Sequence, residues 1–222
     1  LTLAHPAHLV QLLLRGEVQV GLVPAFYLCQ NPGVPLDIGA LATLGPAESV
    51  LLFYRGRLEA VRRLAANVHS LTSNAAARIV LREAYGCSPE VVTHEPDLEA
   101  MLKDCEAAVL IGDYAMQRSE ERIPQLDLGT AWTDLTALPM VWALWVAADE
   151  ATAQAARPWL LEAKQAGLHH LPEIAAEHAR RFGLPEERCL RYLSETMRYD
   201  FGPEERQGLA EFQRRCRELG LC

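Results

Sequence analysis

No run of basic residues and no long apolar run occur in this 222-residue chain. Its 21 Lys and Arg are outnumbered by 29 Asp and Glu, for a net charge of −8, and residues 1–146 and 147–222 are each acidic. Nothing in that distribution could follow a phosphate backbone, so nucleic acid is not an expected partner. The longest apolar stretches, Val18–Leu28 and Pro139–Ala148, fall short of the roughly 20 residues that a membrane-crossing helix needs. A soluble protein without a membrane partner is expected. The chain has no GxSxG, no phosphate-cradling GxxxxGK and no GxGxxG, so hydrolase, nucleotide and dinucleotide readings have no motif behind them. Its six cysteines form no CxxC pair and keep no regular spacing. The first residues also lack the basic, apolar, small-residue order of a secretion signal, and a reducing cytoplasm is the expected setting. Leu1 is not an initiator methionine, which leaves room for a segment ahead of it.

Half of the residues are hydrophobic and 23% are charged, the balance of a globular chain with one large or two small domains. Up to about Ala147 short apolar runs alternate with helical stretches, and after it helix follows helix, so the fold class is α/β with a helical C-terminal tail. Pro6–Arg15 reads as a helix closed by Gly16, and Val18–Pro24 as a strand. That order indicates a crossover unit and a mostly parallel sheet. Ser49–Tyr54 is a further strand, and residues 64–113 read as a compact βαβαβ unit. Pro139–Val146 returns as an apolar strand, followed by helices over Asp149–Gly167, Leu171–Gly183, Pro185–Tyr199 and Pro203–Leu219. The simplest arrangement has two lobes, residues 1–58 together with 138–222 and an inserted lobe of 59–137, with a ligand cleft between them.

Several segments could carry chemistry. His69-Ser70-Leu71-Thr72-Ser73-Asn74 lies between a strand and a helix start. Its hydroxyls can cap the helix, or, with the free N–H groups of the first turn, they can bind a carboxylate or phosphate; both readings stand. Ile111-Gly112-Asp113 ends a buried strand, where Gly admits a close ligand and Asp can face the cleft, although a structural turn explains the pair equally well. Trp132 reads as a packing residue. His5-x-x-His8 has helical metal spacing but no carboxylate nearby, so no metal is expected. His169, His170 and His178 read as solvated or dipole-compensating.

Six segments, in order, resemble one family: Gly16–Pro24 (GEVQVGLVP), Gly45–Leu52 (GPAESVLL), Ser70–Ser73 (SLTS), Leu110–Ala115 (LIGDYA), Asp127-Leu128-Gly129 with Trp132, and Thr136–Trp145 (TALPMVWALW). They are similar to the chorismate dehydratases of the futalosine route to menaquinone. The resemblance implies a two-lobed type II periplasmic-binding-protein-like fold, a cofactor-free lyase, and chorismate, a small dicarboxylate, as substrate. It implies Ser49 as the catalytic serine and Ser70, Thr72 and Ser73 as the carboxylate-binding turn; Gly112 and Asp113, read from the strand end above, are the other expected substrate-binding residues. Two departures accompany it. The family's Tyr-Leu-Asn-type motif has no match in residues 1–8, and its Gly-Leu-Pro-Phe-Val-Phe segment stands here as Ala137-Leu138-Pro139-Met140-Val141-Trp142. Competing readings are the sister dihydroxynaphthoate synthase and a non-catalytic receptor for a small carboxylate.

Overall fold

The computed structural model describes residues 1–4 and 6–222; His5, half of the His5-x-x-His8 spacing, lies outside them. In chain order, Pro6–Leu14 forms α1, Val20–Pro24 β1, Tyr27–Gln30 the single-turn α2, Val34–Thr43 β2 and Val50–Tyr54 β3. Next come β4 (Arg63–Asn67), α3 (Leu71–Tyr85), β5 (Glu90–His94), α4 (Leu98–Asp104), β6 (Ala107–Ile111), α5 (Gly112–Arg118), β7 (Gln125–Asp127) and α6 (Leu128–Thr136). Strand β8 (Met140–Ala147) leads into α7 (Glu150–His169), α8 (Leu171–Phe182), α9 (Glu186–Arg191) and α10 (Pro203–Glu218).

Local chemistry sets these boundaries. Gly16, at φ +70°, lets the Glu17 N–H turn back to the Leu12 carbonyl at 2.9 Å, a left-handed stop that a Cβ would strain. β3 reads as an unbroken apolar run because both of its faces are covered. Leu51 and Phe53 pack with Leu98 and Met101 on one side, and Val50 and Leu52 with Ile79 and Trp132 on the other, following the two-residue alternation of a strand.

Two sheets result. β8 lies between β1 and β2, antiparallel to both. The second sheet has the order β5-β4-β6-β3-β7, with β4 parallel to β5 and β6, and β3 antiparallel to β6 and β7. The largest apolar cluster takes Val50 and Leu52 from the second sheet, Met140 and Trp142 from the first, and Phe212 from α10. Trp132 is fully buried in it, edge-on to Phe212 at 6.0 Å, which is the packing role its sequence context suggests. Among the described residues no helix is long and apolar enough to cross a membrane.

The structure corrects three expectations. The first sheet is antiparallel, because the strand that closes it arrives from the far end of the insertion and not through a helical crossover. Ser49–Tyr54 does not belong with the first lobe: β3 pairs with β6 and β7, so the chain enters the second sheet between Thr43 and Val50, earlier than residue 58. The Pro185–Tyr199 helix gives way after Arg191 to a π-helical turn at Tyr192–Thr196. Beyond it Arg198 exchanges two backbone hydrogen bonds with Ala42 of β2, at 2.8 and 3.0 Å. Strand β2 itself is not foreseen, since Pro35, Asp37, Gly39 and two register shifts disguise its alternation.

Candidate active site

Where the two sheets meet, a cavity of about 160 Å³ is lined by Ser49, His69, Ser70, Thr72, Ser73, Gly112, Trp142 and Tyr192, among others. Each wall comes from a different element: the start of β3, the tip of α3, the end of β6, the middle of β8 and the π-helical turn.

The α3 tip is shaped by an amide clasp. Asn67 N–H donates to Asn74 Oδ1 at 3.0 Å, Asn74 Nδ2 to the Asn67 carbonyl at 2.8 Å, and His69 N–H to Asn67 Oδ1 at 2.9 Å. Ser70 stands at the N-cap without a side-chain capping bond, and the first helical bond runs from Asn74 N–H to the Ser70 carbonyl at 3.2 Å. The amides of Leu71, Thr72 and Ser73 therefore have no acceptor within the helix. Thr72 Oγ1 accepts from the Phe26 N–H at 3.2 Å and keeps its own proton to donate. No described residue bonds the Ser70 or Ser73 hydroxyl, although both residues are buried, at 6% and 4% exposure. Of the two readings of this segment, capping is not what these hydroxyls do. They and the helix amides form a donor-rich recess suited to an anion.

Ser49 is presented by a turn clamped from two sides. Asp127 Oδ1 accepts from the N–H groups of Ala47, Gly129 and Thr130 at 2.9–3.0 Å, and its Oδ2 accepts from Glu48 N–H at 2.8 Å. Thr133 Oγ1 accepts from Gly45 N–H at 2.8 Å. A Cβ on Gly129 would lie 2.6 Å from the Gly45 carbonyl oxygen, so the Gly-Pro-Ala-Glu-Ser and Asp-Leu-Gly segments are parts of one contact. On the other side, Glu48, in the left-handed region at φ +58°, accepts from Thr196 Oγ1 at 2.8 Å and meets Arg188 and Arg191 at 3.9 and 3.6 Å. The Ser49 hydroxyl shares a 2.8 Å hydrogen bond with the Tyr192 hydroxyl. Burial raises the Tyr192 pKa above the ordinary phenol range, with the Ser49 hydrogen bond opposing it.

Trp142 donates its indole N–H to Thr43 Oγ1 at 3.1 Å, which fixes the ring and leaves its apolar surface to the cavity. Gly112, at φ +66°, lines the cavity and donates its N–H to the Ser49 carbonyl at 2.7 Å. Asp113 does not line it: its carboxylate meets His178 of α8 at 2.5 Å. This corrects both the cleft-facing reading of Asp113 and the solvated reading of His178. The reason is that α8 and α9 pack against α5, with Met116 beside Ala175, Ala179 and Cys189. Tyr192 and His69 also line the cavity. Tyr192 carries no sequence signal, since its place depends on a break in a helix that contains neither Gly nor Pro after Glu186.

A larger groove of about 330 Å³ between α7 and the first sheet is lined almost wholly by carbon, and Lys164 at its edge is bonded to the Ile38 carbonyl and to Asp200. It offers no set of polar groups for chemistry. Among the described residues no group of three or more His, Cys, Asp or Glu side chains is placed to hold a metal ion.

The chain resembles several solved structures in fold. An X-ray structure of a protein from Archaeoglobus fulgidus covers 100% of this chain, and 86% of its own length is matched, with a TM-score of 0.69 at 18% identity. The periplasmic aliphatic sulphonate-binding protein SsuA of Escherichia coli covers 97% of this chain, with 80% of its own length matched, a TM-score of 0.65 and 15% identity. The fold is therefore periplasmic-binding-protein-like. A chorismate dehydratase of Thermus thermophilus is 33% identical over 234 aligned residues, spanning 94% of this chain and 83% of that protein. A family model described as menaquinone biosynthesis matches residues 1–218. By sequence, the chain belongs to the chorismate dehydratase family of menaquinone biosynthesis.

Proposed function

We propose that this protein is a carbon–oxygen lyase that converts chorismate to 3-[(1-carboxyvinyl)oxy]benzoate and water in this cavity. The observation that carries the reading is the union, in one cavity, of a donor-rich helix tip and the Ser49–Tyr192 hydroxyl pair. The tip takes a substrate carboxylate through the Ser70 and Ser73 hydroxyls and the first α3 amides, each contact being worth about 1.5–3 kcal/mol. Ser49, oriented by Tyr192, hydrogen-bonds the departing ring hydroxyl, and the apolar face of Trp142 bounds the ring. The step is redox-neutral: the ring C–O bond breaks, the neighbouring carbon gives up a proton, and the C–H electron pair completes the aromatic ring while the hydroxyl leaves as water. Ser49 is not a nucleophile in this scheme, because its hydrogen-bond partner is a phenol of raised pKa and not a base. Among the described residues no carboxylate lines the cavity, so the ring proton goes to a substrate carboxylate and from there to the departing hydroxyl, which leaves as water.

Incubation with chorismate, followed by ultraviolet absorbance and mass spectrometry, tests this reading. Loss of one water is the expected result; tight binding with chorismate recovered unchanged would identify a receptor of the kind the fold also serves. Ser49→Ala should lower kcat by about tenfold or more with little change in substrate affinity. Full activity in that variant would remove Ser49 from the mechanism.

A further inference from the structure

Glu48, next to the proposed catalytic serine, sits in the left-handed region at φ +58°, where glycine would carry no strain and a side chain needs a compensating contact. Its carboxylate supplies one. Oε1 accepts from Thr196 Oγ1 at 2.8 Å, and Oε2 faces Arg188 and Arg191 at 3.9 and 3.6 Å. Adjacent residues therefore grip both ends of one π-helical turn, Ser49 at Tyr192 and Glu48 at Thr196. The turn closes with Met197 N–H donating to the Tyr192 carbonyl at 3.1 Å. No Gly or Pro within it accounts for that uncommon geometry, and the contacts from outside do. Arg188 extends the clamp to the end of α5, donating to the Met116 carbonyl at 3.2 Å and to Ser119 Oγ at 2.8 Å.

We propose that Glu48 and Thr196 are positioning residues for the dehydration, which hold the π-helical turn where the Tyr192 hydroxyl meets Ser49. The inference rests on the reading of the cavity given above, in which Ser49 hydrogen-bonds the departing hydroxyl. Neither Glu48 nor Thr196 lines the cavity, so neither touches substrate, and both act through the 2.8 Å Ser49–Tyr192 bond. The carboxylate acceptor makes the Thr196 bond charge-assisted, and the two guanidinium groups balance its charge. The α3 tip is held separately, by the Asn67–Asn74 clasp and by the Phe26 N–H on Thr72, and no residue of the turn takes part in those bonds. Releasing the clamp lets the Tyr192 hydroxyl drift from Ser49 while the anion recess keeps its donors. The loss therefore falls on the chemical step, which depends on where the Ser49 hydroxyl points, and not on carboxylate binding.

Steady-state kinetics of the full chain with chorismate test the assignment. Thr196→Val, close in volume but without the hydroxyl, should lower kcat by about fivefold or more with KM changed by less than about twofold. Thr196→Ser, which restores the hydroxyl, should recover most of the rate. Glu48→Gly removes the carboxylate and eases the backbone, so it should fold and show the same split between kcat and KM. Tyr192→Phe should also be slow, and adding Thr196→Val to it should cost little more, because both changes act through one pair of hydroxyls. Losses that multiply in the double variant, or full kcat in Thr196→Val, would overturn the assignment. Wild-type protein that leaves chorismate unchanged would instead overturn the reading beneath it, and hydrogen exchange then decides the clamp by itself. In Thr196→Val the amides of residues 193–198 should exchange several-fold faster than in the wild type, with those of α3 and β3 unchanged; equal exchange in the two proteins would show that no clamp exists.

Discussion

A single carboxylate fixes the geometry of the proposed catalytic serine. Asp127 takes four main-chain N–H groups, two from its own helix and two from the turn before Ser49, so it caps α6 and aims β3 with the same two oxygens. Asp127→Asn keeps the volume but sets an amide NH₂ against the Glu48 N–H and weakens the charge-assisted bonds. The expected cost is about 2 kcal/mol, read as a lower urea midpoint, together with reduced turnover because the turn no longer holds Ser49 in register. Turnover unchanged at a lower midpoint would show that the turn stays in place without the carboxylate. At this scale the sequence is readable where a residue type answers a local need. Ser49 begins a strand, Ser70, Thr72 and Ser73 begin a helix, and Gly112 allows a left-handed exit; all five line the cavity. Asp113 shows where such reading stops, because the helix that claims its carboxylate lies 65 residues away in sequence. Tyr192 shows the same limit from the other side, being 143 residues from the serine it orients.

Among the elements, α10 binds the two sheets together, and its contacts make two predictions. Gly208 is the point of closest approach: a Cβ there would lie 2.0 Å from the Pro139 carbonyl oxygen. Gly208→Ala should therefore force the helix away from β8 and cost about 1–3 kcal/mol, with an unchanged m-value in urea. Gly167→Ala in α7, where a Cβ would meet nothing within 4 Å, is the control and should be neutral or mildly stabilising. On the outer face of α10, Glu211 accepts from Arg214 and Arg215 at 2.7–2.8 Å, and these bonds bring its pKa down from 4.5 to about 2. A depressed folded-state pKa means that the unfolded chain binds the proton first. This contribution to stability is thus complete above pH 4.5 and is lost as pH falls towards 2. Glu211→Gln should flatten urea midpoints across that window and leave the slope above it unchanged. Helices and buried strands follow from periodicity, as α3 and β6 do. Strand β2 and the turn at Tyr192–Thr196 do not, because their conformations are set by pairing with β8 and by the packing of α8 and α9 on α5, which no local pattern encodes.

The whole molecule opposes the ligand its cavity suits. A body of net charge −8 repels a dianion at long range, while the α3 tip and the hydroxyls attract it only within contact distance, since helix-end charge fades over a turn. Glu48, beside the cavity, is already matched by Arg188 and Arg191. What remains is the field of the outer surface, which salt screens readily, whereas contacts to the buried Ser49, Ser70 and Ser73 are screened much less. Chorismate association should therefore speed up as ionic strength rises from about 0.01 to about 0.1 M, where the Debye length shrinks from about 30 to about 10 Å. Dissociation should change little, so the apparent Kd should tighten over that range, the reverse of what a basic, steering site shows. Stopped-flow fluorescence on Ser49→Ala, with the cavity-lining Trp142 among the four tryptophans as reporter, measures both rates while substrate stays intact. Association that slows with added salt would mean that a positive field reaches beyond the cavity mouth, and the α3 tip would then not be the sole source of attraction.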